Sequence, residues 1–479
     1  MSNAIPEHVP NPNRWKILPI VILMSFMSSL DSSIVNIALP TLTREMNEPV
    51  TAMTWVVTSY LITICALMLL FGRLGDIKGN TLIFRTGVIV FICGSLLCGI
   101  SINLTMLIVS RVIQAVGAAS AMATNQGIIT QAFPQNERGR ALGFNATFVA
   151  LGSLCGPPLG GFIVSALSWH FIFLINIPVG LFIFLRGRRI LPKGATVNET
   201  LDIKGVVLFA LSMVLIFCAI GIGETIHFST PLLIVPIAIG LVLVSVFIMV
   251  ERKLPQPMLD LKIFKNGLFS ISIICTFLVY ASLNSINLVQ PFYLQNARAL
   301  STFTSGLIMM IYPVVLAISS PISGYLSDKI GQKLPTLIGL CISTVAYIGA
   351  AMMTIRTSLF LTGLVYACLG IGTSLFQAPN TSLIMSTVPG NKLGVAGSIN
   401  AFVRNLGFIF GVLIATTVLF SSMGAKYGQP VNDYVQGRPD LFIYGMRVTY
   451  LVFAGVCFAA AIITAVRLFT WGHRKAQET

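Results

Sequence analysis

From Trp15 to Phe469 the chain is one apolar run after another, each long enough to cross the roughly 30 Å hydrocarbon layer of a bilayer as a helix. A backbone in that layer must satisfy its own N–H and C=O groups, so an all-α integral membrane fold follows. The runs fall near 15–39, 52–72, 82–101, 104–129, 141–166, 169–187, 203–222, 231–250, 268–294, 304–326, 335–354, 359–380, 395–420 and 443–469, fourteen spans with both termini on one side. Composition agrees: 55% of the 479 residues are hydrophobic and 9% charged, against about 25% charged in soluble domains. The first run carries Asp31 and Asn36 and no A-x-A cleavage site, so it reads as a retained span and not a signal peptide. The nine cysteines lie singly inside apolar runs, with neither disulfide nor metal spacing.

The net charge of +15 invites a nucleic-acid reading, but its distribution gives another cause. With the N-terminus inside, Arg44, Arg298, Arg356, Lys426 and Arg438 fall outside, Arg111, Arg404 and Arg447 fall within spans, and the other Lys and Arg fall on inner segments. This is the positive-inside pattern of a multi-pass protein of the cytoplasmic membrane, with both termini cytoplasmic. All four Trp (15, 55, 169, 471) stand at span ends, as an interfacial aromatic belt requires. A nucleic-acid surface needs basic and aromatic residues interleaved on a soluble face, and the sequence has none.

A repeat divides the chain. "GRLGDIKGN" begins at Gly72 and "GYLSDKIGQ" at Gly324, 252 residues later, which sets Gly72, Asp76 and Gly79 opposite Gly324, Asp328 and Gly331. The spacing predicts two parallel six-helix bundles, 15–187 and 268–469, with two further spans and their linkers over 188–267 and tails at 1–14 and 470–479. Transporters that rock about a central site have this plan.

Longer motifs sharpen the reading. "LDSSIVNIALP" (30–40), "WVVTSYLIT" (55–63), "RVIQAVGAA" (111–119), "GSLCGPPLGG" (152–161) and "WHFIFLINIPVG" (169–180) together resemble the signature segments of the fourteen-span drug:proton antiporters of the major facilitator superfamily. The resemblance covers nearly the whole chain. It implies the major facilitator fold, 14 transmembrane helices as two six-helix bundles plus two inserted helices. Ile77, Asn80 and Thr81 depart from the usual basic residues of the first loop motif, and Ala115 stands for a usual Gly.

Asp31 is the residue that most needs a reason, because an ionised group inside a span is costly and marks a functional site. Met24, Met27, Ser28 and Asp31 share one helical face, which is expected to look onto a cavity. Counting from the outer span ends places Arg111 at the depth of Asp31, as its partner, with Gln114 one turn on and Asn36 as supporting groups; a purely structural ion pair has the same signature. In the family the matching Arg is implicated in proton coupling.

Gly152, Gly156 and Gly160 form a small-residue stripe beside Gly161, and Pro157 and Pro158 remove backbone donors between them. The resemblance implies an antiporter hinge that packs on the first helix of the other half. Asp76 and Asp328, in their glycine-bounded loops, are the expected cytoplasmic gate. Candidates for substrate contact are Met24, Met27, Tyr60, Asn284, Asn287, Gln290, Gln377, Asn380 and Arg404, with helix-to-helix bonding as the alternative role of the polar ones. The family often carries an Arg at position 404, for which pairing with carbonyls is the structural reading and an anionic substrate the functional one.

No Gly-Lys dipeptide occurs, which removes the phosphate-binding loop of ATP-driven pumps. No cofactor is implied. The expected activity is export of amphipathic small molecules by proton antiport, with sodium as an alternative coupling ion at a single carboxylate, in a chain that works as a monomer in the bilayer. A dedicated exporter of an amphipathic anion of the fatty or bile acid type is the competing transporter. An intramembrane enzyme or a channel is the competing class: the short loops hold no nucleophile–base arrangement, and the two halves share no intramembrane charge from which to build a ring.

Overall fold

The computed structural model describes residues 12–192, 202–226, 231–252, 261–388 and 393–476, and among them every regular element is helical. In chain order these are α1 (Arg14–Met46), α2 (Val50–Met53), α3 (Trp55–Lys78), α4 (Asn80–Gly99), α5 (Leu104–Ala132), α6 (Gln135–Ala166), α7 (Phe171–Leu174), α8 (Asn176–Ile190), α9 (Ile203–Ile226) and α10 (Pro231–Glu251). They continue as α11 (Gly267–Phe292), α12 (Thr302–Met309), α13 (Ile311–Ile330), α14 (Lys333–Ala351), α15 (Leu359–Ser386), α16 (Leu393–Tyr427) and α17 (Pro439–Ala476), with a π-helical turn at Tyr293–Ala297. Eleven helices are long and apolar enough to cross a membrane, and shorter apolar stretches lie at Leu151–Ala166, Lys204–Ala219 and Val235–Glu251. The molecule is a multi-pass membrane protein. The segments 193–201, 227–230 and 253–260 of the expected inter-bundle region lie outside the described residues.

Helix ends follow local chemistry. Asn103, Ser301 and Ser358 accept the first orphan N–H groups of α5, α12 and α15 through their side chains. Gly79 and Gly331, equivalent by the repeat, end α3 and α13 at φ +94° and +82°, a region open to glycine without strain. Successive spans run in opposite directions, which leaves one face carrying both termini and a far face opposite.

Close packing depends on small residues. A Cβ on Gly117 would strike the backbone of Phe91, and one on Gly94 the backbone of Gln114, so α4 and α5 meet almost backbone to backbone. The repeat reappears as packing: α1 lies along α6, and α11 lies along α16, where Gly407 and Gly411 abut Phe277, Tyr280 and Ala281. The inserted α9 packs on α10 through Phe209–Phe247 and on α16 through Phe209–Phe402 and Phe217–Phe410, and it also touches α3. It therefore covers one side of the seam between the first and second halves.

Candidate functional site

Asp31 lies in the middle of α1, is 0% exposed, and is met by donors from two other helices. Arg111 Nη1 donates to its Oδ2 at 2.6 Å, while Gln114 Nε2 and Asn176 Nδ2 donate to Oδ1 at 2.9 and 2.8 Å. Arg111 and Gln114 come from α5 and Asn176 opens α8. The guanidinium is completed by Val56 O, which accepts from Nε at 3.1 Å, and by Gln114 Oε1, which accepts from Nη1 at 2.5 Å. Its carbon lies 4.0 Å from the ring centroid of Tyr60 and 5.6 Å from that of Phe173, within cation–π range. Gln114 is itself oriented by Ser95 Oγ, to which Nε2 donates at 2.8 Å.

This arrangement states its own chemistry. Oδ1 accepts two amide N–H groups and Oδ2 accepts the guanidinium, so the carboxylate is held by three donors from α5 and α8. Withdrawing Arg111 would leave the buried carboxylate without its counter-charge, a costly arrangement. Carboxylate and guanidinium thus form one buried ion pair whose two charges depend on each other.

The pairing of Asp31 with Arg111 expected from their depths along the two spans is present. The first span was expected to stop at 39, whereas α1 continues through Pro40 to Met46.

The face of Asp31 also differs from expectation. Met24 and Met27 are each 1% exposed, and the Met27 side chain reaches the Gly180 position on α8, so this face packs inside the first half and not on an open passage. Tyr60 lies under Arg111 and is 1% exposed, which makes it part of the ion-pair site and not a substrate contact in this conformation. Asn36 donates to Ser32 O of its own helix at 3.3 Å and does not reach Asp31. Asn176 and Ser95 belong to the site and were not singled out from sequence; a lone amide inside "FIFLINIPVG" was the available signal.

The glycine stripe of α6 faces α1 of its own half, not the first helix of the other. A Cβ on Gly152 would meet Phe26 O, one on Gly156 the side chain of Ser33, and one on Gly160 Ile37 Cγ2 at 2.5 Å. The other half is met by Gly161, whose Cβ would lie 2.7 Å from Thr302 O, and by Pro157, whose carbonyl fills the Cβ position of Gly306. The expected partner is wrong because α11 is drawn against α16, leaving α12 to close on α6.

These contacts belong to a seam on the far face. Gln295 Nε2 donates to Ile37 O at 3.0 Å, Arg44 Nη2 to Asn296 Oδ1 at 3.3 Å, and Thr51 N to Asn432 O at 3.4 Å. Beside that last bond, burial pushes the Asp433 carboxyl up from its usual range. On the face of the termini, a Cβ on Gly72 or Gly324 would meet nothing within 4 Å. The halves are tied at the far face. The side chains of Asp76 and Asp328, the expected gate acids, lie outside the described residues.

Of the second-half candidates, Asn284 Nδ2 donates to Phe408 O at 2.8 Å and Asn380 Nδ2 to Ser272 O at 3.1 Å, so both bind neighbouring helices. Gln290 is 1% exposed. Asn287, Gln377 and Arg404 remain half-buried. Two charges were misplaced from sequence: Arg467, counted with the inner residues, is 1% exposed in α17 and donates to Ser272 Oγ at 2.9 Å, and Glu251, set just outside its span, closes α10 at 2% exposure.

Comparison with known proteins places this architecture. The chain is 35% identical over 457 residues to the riboflavin transporter RibZ of Clostridioides difficile, covering 94% of this chain and 97% of that protein. It is 30% identical over 420 residues to the multidrug resistance protein Stp of Mycobacterium tuberculosis, covering 86% and 78%. Among solved structures, an inward-facing, unoccupied bacterial homolog of the human lysosomal transporter Spinster superposes with a TM-score of 0.67 at 16% identity over 95% of this chain and 96% of the other, a likeness of fold alone. Residues 21–412 match the family description Major Facilitator Superfamily, and the chain belongs to that superfamily of membrane transporters, which are not enzymes.

Proposed function

We propose that the protein is a proton-coupled antiporter that exports amphipathic small molecules across the cytoplasmic membrane by alternating access, in the manner of the fourteen-span drug:proton antiporters. The observation that carries this reading is the sealed Asp31–Arg111 pair, with Gln114 and Asn176 completing the acceptor shell of the carboxylate. In the conformation described, Asp31 is paired with Arg111 and the far-face seam is closed. We read this as the inward-open state after proton release, with both termini cytoplasmic and the three shorter apolar stretches spanning to complete fourteen helices. Closing the termini face and opening the far seam is the step that draws Arg111 away and admits a proton from outside.

The energy scale is adequate. One proton crossing the full potential supplies ~2.3 kcal/mol per 100 mV, enough for roughly fifty-fold concentration of a neutral substrate. The protein works as a monomer without a cofactor, since every donor and acceptor of the pair comes from one half of one chain.

In proteoliposomes with an interior pH dye, adding an amphipathic substrate on the termini side is expected to drive a proton current opposite to substrate flux. Asp31→Asn is expected to leave downhill exchange and to abolish both the proton signal and accumulation driven by a pH gradient. Unchanged accumulation by that variant, or a signal that follows sodium in place of pH, refutes proton coupling at Asp31.

A second reading has a specific observation in its favour, the 35% identity across 94% of the chain to a riboflavin transporter. In that reading the substrate is a flavin-like planar heterocycle. Competition by riboflavin in the same vesicles, against a lipophilic monocation of equal size, separates the two.

A further inference from the structure

Cations inside the second half find neutral partners, and for one of them that partner is a single aromatic side chain. Arg447 Nε donates to Ala351 O at 3.3 Å, and Arg467 Nη1 donates to Ser272 Oγ. Arg404 faces Tyr280, its guanidinium carbon 5.8 Å from the ring centroid and near the phenol oxygen. Among the described residues it meets no carboxylate and no backbone carbonyl, which overturns the carbonyl pairing expected for it.

Its position is decisive. Arg404 stands about 16 Å along α16 from Leu393, a third of the way along this bilayer-spanning helix, and it is half-buried. A guanidinium at that depth cannot face hydrocarbon without a large cost, so its exposed side looks into the space between the halves. The α1–α6 contact of Ser29 with Ser153 has its counterpart in the edge-on contact of Tyr280 with Phe408 between α11 and α16, ring centroids 5.3 Å apart. One turn before Arg404, the Asn400 Oδ1 accepts from Thr276 Oγ1 at 3.3 Å, leaving its amide N–H groups as further donors. Asp31 adds no balancing negative charge, since Arg111 already neutralises it.

We propose that Arg404 anchors the anionic group of the substrate, a carboxylate or phosphate ester on an aromatic or otherwise apolar body that packs against Tyr280 and Phe408. A guanidinium matches a carboxylate with two parallel N–H···O bonds, and the rings supply contact that discriminates little among apolar bodies. Exchange of such a monoanion outward for a proton inward moves two charges down the membrane potential in place of one. This rests on the transport reading above but not on proton coupling, so its test is made at equilibrium without a gradient.

Binding to the purified full chain is measured by fluorescence for three matched probes: pyrenebutyrate, its primary amide and pyrenebutylamine. The wild-type chain is expected to bind the butyrate about tenfold or more above the amide, a ratio typical of one charge-assisted pair, and the amine most weakly. Arg404→Gln is expected to erase the preference for the butyrate while leaving the amide within about twofold, and Arg404→Lys to keep the direction of the preference at a reduced size, since an ammonium carries the charge without the two-bond fork. If the Gln variant does not fold, the wild-type ranking and the Lys variant decide. Equal binding of butyrate and amide by the wild type, an unchanged ranking in Arg404→Gln, or no saturable binding of the butyrate overturns the proposal. Loss of proton coupling with the butyrate preference intact leaves it standing.

Discussion

Arg111→Ala is expected to cost the folded protein about 3–5 kcal/mol, and Asp31→Asn in the same chain to recover most of that loss. The reason is asymmetry. Asp31 and Arg111 are 0% and 1% exposed, so neither finds water when its partner is cut away. Removing Arg111 strips Asp31 Oδ2 of its donor and removes Nη1 from Gln114 Oε1, and it takes the cation from above Tyr60, so a carboxylate remains in an apolar space with two amides for company. Removing the charge of Asp31 as well leaves only neutral groups, whose burial costs far less. The measurement is thermal unfolding in detergent for the two single variants and the double variant. A coupling energy below about 0.5 kcal/mol, the value for independent sites, refutes the claim that these two groups act as a unit.

Much of this pair was legible in the sequence because hydrophobic surroundings make any charge conspicuous. Asp31 and Arg111 stand out within apolar runs, and burial cost forces them toward each other. What sequence could not supply was the company they keep. Asn176 looks like one polar residue at a helix start, and Ser95 like a small packing residue, until α4 and α5 close on the Gly94 contact and bring them to Gln114. Periodicity along α1 assigned Met24, Met27 and Asp31 to one face correctly, but a face can look inward to its own bundle or across to the other. Only the packing of α5 and α8 against it decides. The same ambiguity misled the reading of α6, since a glycine stripe announces close approach without naming what approaches. Arg404 shows the converse: a charge whose sequence context suggested carbonyl pairing has its guanidinium carbon 5.8 Å from the ring centroid of Tyr280.

Gly161→Ala is expected to favour opening of the far face, by a factor of about 5–150 in the ratio of open to closed molecules, with Gly161→Val acting more strongly. A Cβ at 161 would stand 2.7 Å from Thr302 O and 3.1 Å from Phe303 Cα, distances at which backbone must move. Overpacking of this kind costs about 1–3 kcal/mol, and that energy, levied only on the closed seam, translates into the stated ratio. Gly306 is the reciprocal position, its Cβ falling on Pro157 O, so Gly306→Ala should act in the same direction. Spin labels carried as unnatural amino acids at the exposed Glu45 and Arg356 report the far-face separation, which should lengthen or broaden in either variant. Gly72 provides an internal control, since a Cβ there meets nothing within 4 Å and Gly72→Ala should leave the closed seam as it is. A far-face distance unmoved by Gly161→Val would mean that the seam yields by local adjustment, and the contact of α6 with α12 would then be ordinary helix packing without a part in alternating access.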